Sequence, residues 1–506
     1  MQNFIFPKIS NLSILALAVY LYLFDAVVAA PVNNQEEVKK NIIFLISDGM
    51  GAASFQLART FRQVRDDLPY NDLLELDNHL IGTFRSRSNN SYVTDSAAAG
   101  TALATGKKTY NKGINVNPEG VPIGSIGEAL KLQGYTTGIV VTTRVTDATP
   151  AVWAAHAKDR AYEDTIAEQL LGEHPLGRVP DLILGGGRTY FYPDTEEGGS
   201  RSDDRNLIEE VQANGTWTYA GNREEFDQLQ LGENVTLPLL GLFADKDFPY
   251  KIDRNESIYP SLLEETQVAL KALSKATEDT EKGFFLMVES SRPDHAGHAN
   301  DAQTISREVL EYDDVVQEVL KFVQESEVET IVISTADHET GGLSVFGTKP
   351  SHYQAILNAT HSSEFLASAI NDFKNKNDDE ELTTFITNTV LEEGLGLQDY
   401  TEDEVNRIKS LSNFDDEDEI LKLSAAIANL TSSRSSVSWG TTGHSAVDVD
   451  IYSFSNSPYL TQKILNTRDG LAGTHENTDF SVFIKSITGI DLDEVTDLIQ
   501  DINIEK

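Results

Sequence analysis

Four apolar, β-branched runs in this chain each stop at, or within a few residues of, a carboxylate. They are Asn41–Ser47 before Asp48, Gly138–Thr142 before Asp147, Phe284–Val288 before Glu289 and Glu329–Ser334 before Asp337. Runs of this kind, without polar alternation, predict strands covered on both faces, and so a parallel sheet. Amphipathic segments such as Ile123–Gln133 and Ser306–Ser326 lie between them. That alternation predicts a doubly wound α/β sheet with helices on both faces. Ligands of such sheets bind beyond the carboxyl ends of the strands, where all four acidic groups fall. Carboxylates gathered there repel one another unless cations neutralise them.

Histidines stand where ligands to such cations are needed. Asp294 and His298 are four apart, which on a helix places carboxylate and imidazole on one face. Asp337-His338 lies at the tip of a predicted strand. A lone Asp-x-x-x-His is more often an ordinary surface pair, but two acid–imidazole pairs suggest a two-metal hydrolytic site. His444, in the glycine-flexed run Trp439–His444, becomes a third imidazole once the pairs are in place. His295 adjoins the first pair and reads as a residue behind the ligands. The other histidines, His79, His156, His174, His352, His361 and His475, have no partner at ligand spacing and read as structural.

Thr94-Asp95-Ser96 opens a small-residue helical stretch, and Asp95 or Thr94 suits its cap. Ser96 then sits at a helix N-terminus, where dipoles favour an anion. No Gly-x-Ser-x-Gly elbow and no triad activates it, so coordination to a cation is the natural route to a nucleophile. Arg160 has the fork shape that holds two phosphate oxygens, although a surface ion pair is the commoner fate of an arginine. Gly185-Gly186-Gly187 lacks the lysine and serine of a nucleotide loop and reads as a tight turn.

Forty basic against 80 acidic side chains give a net charge of −40, which argues against nucleic acid or anionic membrane as partner. A phosphorylated substrate therefore needs a local positive focus. The chain has no cysteine, so neither disulfides nor thiolate ligands enter. Residues 1–30 read as a cleaved secretory signal, with an uncleaved anchor as the alternative. The remainder, 31–506, reads as one catalytic domain. Within it 342–439 is poor in strand-like runs and reads as an insertion or cap. Sequons at Asn89, Asn214, Asn234, Asn255, Asn358 and Asn429 are compatible with a secreted glycoprotein.

Taken together, these stretches resemble the alkaline phosphatase family. The resemblance rests on Asp48-Gly-Met-Gly51, Val93–Ala98, Asp147–Pro150, Glu289–His298, Ser334–Gly341 and Gly443-His444, in the family's order over most of the chain. It is closest to the fungal repressible branch. The resemblance implies hydrolysis of phosphate monoesters at alkaline pH through a phosphoserine on Ser96, with Arg160 holding the phosphoryl oxygens. It implies two zinc ions and one magnesium. Asp294, His298 and His444 would hold the first zinc, and Asp48, Asp337 and His338 the second. Asp48, Thr149 and Glu289 would hold magnesium, with Asp147 and His295 orienting its waters. It further implies a homodimer. Animal members carry histidine at the place of Asp147 and some bacterial ones lysine at that of His295, which leaves the magnesium position open. Sulfatases need a Cys/Ser-x-Pro-x-Arg segment that Ser96–Gly100 lacks. A secreted or cell-surface location is expected, the alternative being a membrane-anchored vacuolar enzyme.

Overall fold

Ten strands form a single mixed sheet, in a computed structural model that describes residues 38–373, 378–412 and 417–505. In chain order they are β1 (Lys40–Ser47), β2 (Leu80–Arg85), β3 (Thr136–Arg144), β4 (Leu182–Gly186) and β5 (Thr218–Ala220). Then come β6 (Leu239–Leu242), β7 (Phe284–Ser290), β8 (Glu329–Thr335), β9 (Val449–Ser455) and β10 (Gly473–Glu476). Across the sheet they lie as β10-β2-β9-β8-β1-β7-β3-β4-β6-β5. The four runs singled out in the sequence are thus consecutive neighbours, β8-β1-β7-β3, all parallel. Ile42 pairs with Phe285 on one side and Ile331 on the other. This register aligns the carboxyl ends, so Asp337, Asp48 and Asp147, which follow their strands, and Glu289, next to the last residue of β7, fall at the same end of the sheet. Only β9 opposes its neighbours, β2 and β8.

The helices around this sheet include α1 (Ala52–Arg65), α2 (Ser96–Thr105), α3 (Ile126–Leu132), α4 (Ala148–Ala151), α5 (Leu262–Ala276), α6 (Arg292–His298) and α7 (Ala302–Glu325). Their starts follow local chemistry. Ser125 with Glu128, and Ser261 with Glu264, form capping boxes on α3 and α5, and Asp301 caps α7. Phe44 of β1 stacks on Phe480 at 4.2 Å and meets the edge of Trp153 at 5.3 Å, anchoring the core beneath the site.

The glycine triplet departs from expectation. Gly185 and Gly186 lie inside β4, and the turn begins only at Gly187, with φ of 90°. The reason is close approach: a Cβ on Gly186 would stand 2.1 Å from the Lys246 carbonyl. The described residues of 342–439 are mostly helical and close around their own apolar cluster, including Leu366, Ile386, Leu391 and Ile427. The two ends of this segment are tied by an antiparallel pair, Val345 opposite Val437. The predicted signal, 1–30, lies outside the described residues. No described helix is long and apolar enough to cross a membrane.

Candidate active site

Ser96 is the first residue of α2 and is 3% exposed. Asp95 caps the helix by accepting from the Ala98 N–H at 3.0 Å, while its other oxygen accepts from the Lys112 N–H. The Ser96 Oγ is held 3.1 Å from His338 Nε2, at the far end of β8. Two groups of ligating side chains converge beside it, Asp294 with His298 and His444, and Asp48 with Asp337 and His338. The first is assembled by α6, which places His298 Nε2 3.3 Å from Asp294, and by the loop that carries His444 Nε2 to 3.6 Å from the same carboxylate. A two-residue antiparallel bridge, His444 opposite Thr340, brings that distant loop in. The second is assembled at the strand tips, with His338 Nε2 3.2 Å from Asp337 and 3.6 Å from Asp48. The His338 and His444 rings stack at 3.6 Å, so the two groups touch.

The hydrogen-bond donors of these residues leave places for divalent cations. His298 Nδ1 donates to the Thr442 carbonyl at 2.6 Å and His444 Nδ1 to the Thr94 carbonyl at 2.8 Å. Each ring's proton is spent there, yet their Nε2 atoms face one another at 3.1 Å. Two lone pairs directed at one point are what a shared cation, or a proton in its place, relieves. Among the described residues, the buried atoms without a hydrogen-bond partner include Asp48 Oδ1, Asp337 Oδ2, Glu289 Oε2 and Thr149 Oγ1. Such orphans are costly unless an ion completes them. The residues fit.

Electrostatics point the same way. Burial pushes Asp48 well above the usual carboxylate range, and Asp337, Asp294 and Glu289 push it further. Burial likewise lifts Glu289, with Asp147 and Asp337 adding repulsion, and lifts Asp337 to about 6. Burial opposes ionisation of Asp294 too, but the charge of the His298 ring and its hydrogen bond outweigh it and hold Asp294 low. Burial disfavours the charged His298 ring, yet Asp294 raises it to about 9. His338 is pushed well down by burial and by His444, leaving it neutral.

The remaining predicted residues form a charged rim. Arg160, partly exposed, donates to Asp147 at 2.6 Å and lies 3.6 Å from Asp95. Asp147 also accepts from Arg144, which reaches Glu163 and Asp247 as well. His295 stands apart from both ligand groups, its Nδ1 3.9 Å from Asp247. Burial and the neighbouring Arg292 lower it. Sequence reasoning missed Thr340, Arg144 and Asp247. Arg144 carried a signal, since it ends β3 on the ligand edge. Asp247 carried none, because it follows a strand too short to be read. His156 and His174, left without partners in the sequence, in fact share Glu128, at 2.8 and 2.9 Å, in a third buried group whose ligand atoms lie close enough together for a metal. There His174 Nδ1 accepts from the Leu176 N–H, so Nε2 carries that ring's proton and is not free to ligate.

A family model described as alkaline phosphatase matches residues 39–490. The chain is 48% identical over 482 residues to the repressible alkaline phosphatase of Saccharomyces cerevisiae, covering 92% of this chain and 84% of the relative. It is 38% identical over 473 residues to an alkaline phosphatase of Schizosaccharomyces pombe, with the same 92% and 84% coverage. Among solved structures it resembles Thermus thermophilus alkaline phosphatase, with TM-score 0.74 and 25% identity over 93% of this chain and 99% of that one.

Proposed function

The chain belongs to the alkaline phosphatase family, and from that premise we propose how its own residues carry out the reaction. The protein is a metal-dependent hydrolase that converts phosphate monoesters to an alcohol and inorganic phosphate. Ser96 is the nucleophile: its Oγ forms a bond to phosphorus as the bond to the alcohol oxygen breaks, and a second displacement by water regenerates the serine and releases phosphate. The N-terminus of α2 favours the anion that Ser96 then carries. Asp95 and Asp147 hold the Arg160 guanidinium, which donates to the equatorial phosphoryl oxygens.

Asp294, His298 and His444 would hold one zinc, and Asp48, Asp337 and His338 another, since mixed imidazole and carboxylate sets suit that ion. Asp48, Thr149 and Glu289 offer oxygen alone and would hold magnesium, with Asp147 and His295 behind them. Bound there, the cations would lower the pKa of oxygen nucleophiles and would neutralise charge on the departing group. The observation that carries this reading is the convergence of Ser96, two imidazole–carboxylate groups and several unpartnered buried oxygens.

A secreted, glycosylated homodimer is the setting we favour, with residues 1–30 as a cleaved signal and 342–439 as cap and part of the dimer interface. All six sequon asparagines are exposed, which supports glycosylation. The decisive experiment measures p-nitrophenyl phosphate hydrolysis at alkaline pH, with and without chelator, alongside Ser96→Ala. Activity should vanish with chelator, return with zinc and magnesium, and fall by about three orders of magnitude or more in the variant. Chelator-resistant turnover, or an active Ser96→Ala, would rule the mechanism out.

A further inference from the structure

Thr340 is fully buried and touches both ligand groups at once. Its Oγ1 donates to Asp294 Oδ1, in the first group, and lies 3.2 Å from His338 Nδ1, in the second. Its N–H donates to the Gly49 carbonyl, next to Asp48, at 3.1 Å, and its backbone pairs with His444. Glycines make this reach possible. A Cβ on Gly49 would stand 2.8 Å from Thr340 Oγ1, and one on Gly297 would stand 3.0 Å from Thr340 Cβ.

The hydroxyl has one proton and two lone pairs. A carboxylate can only accept, so that proton goes to Asp294. His338 Nδ1 must then carry a hydrogen and donate it to Thr340. The ring's other nitrogen, Nε2, is left bare, and it is the atom aimed at Ser96, Asp48 and Asp337.

We infer that Thr340 is a positioning residue that sets the tautomer of His338 and the orientation of Asp294 together, so that both ligand groups face their cations correctly. This deepens the proposed function and rests on its assignment of the ligands. Valine has the shape of threonine without the hydroxyl. It would strand the Asp294 oxygen and the His338 Nδ1–H, and allow the ring to carry its proton on Nε2, where it cannot ligate.

The test compares wild type, Thr340→Val and Thr340→Ser for zinc retention against a chromogenic chelator. Thermal unfolding in excess chelator controls for folding. Residues behind metal ligands typically change affinity by about 10- to 100-fold. Thr340→Val should lose zinc about tenfold or more readily, and Thr340→Ser should hold it within about twofold of wild type. In the wild-type protein labelled with 15N-histidine, freed of metal, His338 should show a protonated Nδ1 and an unprotonated Nε2. That spectrum needs no variant. A proton on Nε2, a Thr340→Val that retains zinc like wild type, or a Thr340→Ser that fails like valine each overturns the inference alone. A wild-type protein that takes up no zinc overturns it together with the reading beneath it.

Discussion

At the scale of single residues, one cation is fixed among anions. Arg160 stands between Asp95 and Asp147, and although burial opposes its charge, Asp147 and Asp95 raise it above its ordinary value. Its charge is therefore permanent, and its fork keeps donors to spare for a ligand. A lysine offers a point charge without that plane. Arg160→Ala should lower kcat/KM for p-nitrophenyl phosphate by about a hundredfold while zinc content, read by mass spectrometry, stays at the wild-type level. Loss of zinc in this variant would mean that Arg160 supports the ligand scaffold instead of the substrate.

At the scale of elements, one carboxylate outside the two ligand groups joins three segments. Glu128 on α3 accepts from the Ser125 N–H at 2.7 Å, closing the capping box, and faces His156 Nε2 at 2.8 Å and His174 Nε2 at 2.9 Å. His156 in turn donates from Nδ1 to the Asn115 carbonyl at 3.0 Å. All of these side chains are fully buried. Burial disfavours the charged forms, yet the pair overcomes it: Glu128 is held low by His156, and His156 is held high by Glu128. The signs give a window. The histidine's contribution is complete below the ordinary imidazole pKa and is lost as pH rises through its raised value. The carboxylate's contribution is complete above the ordinary glutamate pKa and is lost as pH falls through its depressed value. Removing one partner, as in His156→Asn, should cost about 3–5 kcal/mol near neutral pH. The gap between variant and wild type should narrow at strongly alkaline pH. Denaturant unfolding at several pH values checks it; a gap independent of pH would mean that the imidazole is not charged.

At the scale of the whole molecule, a net charge of −40 must coexist with a carboxylate cluster at the heart of the fold. Cations that bind only the native state add stability, about 2.7 kcal/mol each at a hundredfold excess over Kd. Chelation should therefore lower the Tm by calorimetry, and zinc with magnesium should restore it. A Tm indifferent to chelator would place the cations elsewhere. Native mass measurement tests the homodimer in the same preparation. The amino-acid sequence by itself determined which strands are buried, because apolar, β-branched runs have no other stable place. It also marked the carboxylates and imidazoles that the fold brings together, because several acid–imidazole pairs beyond strand ends are an unusual pattern. Boundaries held at one end of β1, β7 and β8 and to within two residues at the other, whereas β3 runs two residues further at each end than predicted. The short strands β5 and β6, and the half-exposed β2, left no periodic signal to read. Only the tertiary structure decided that β8-β1-β7-β3 are neighbours, that Glu128 unites His156 with His174, and that Thr340 spans two ligand groups. Those facts depend on strand order and on hydrogen-bond direction, which link residues tens to hundreds of positions apart and leave no trace in local spacing.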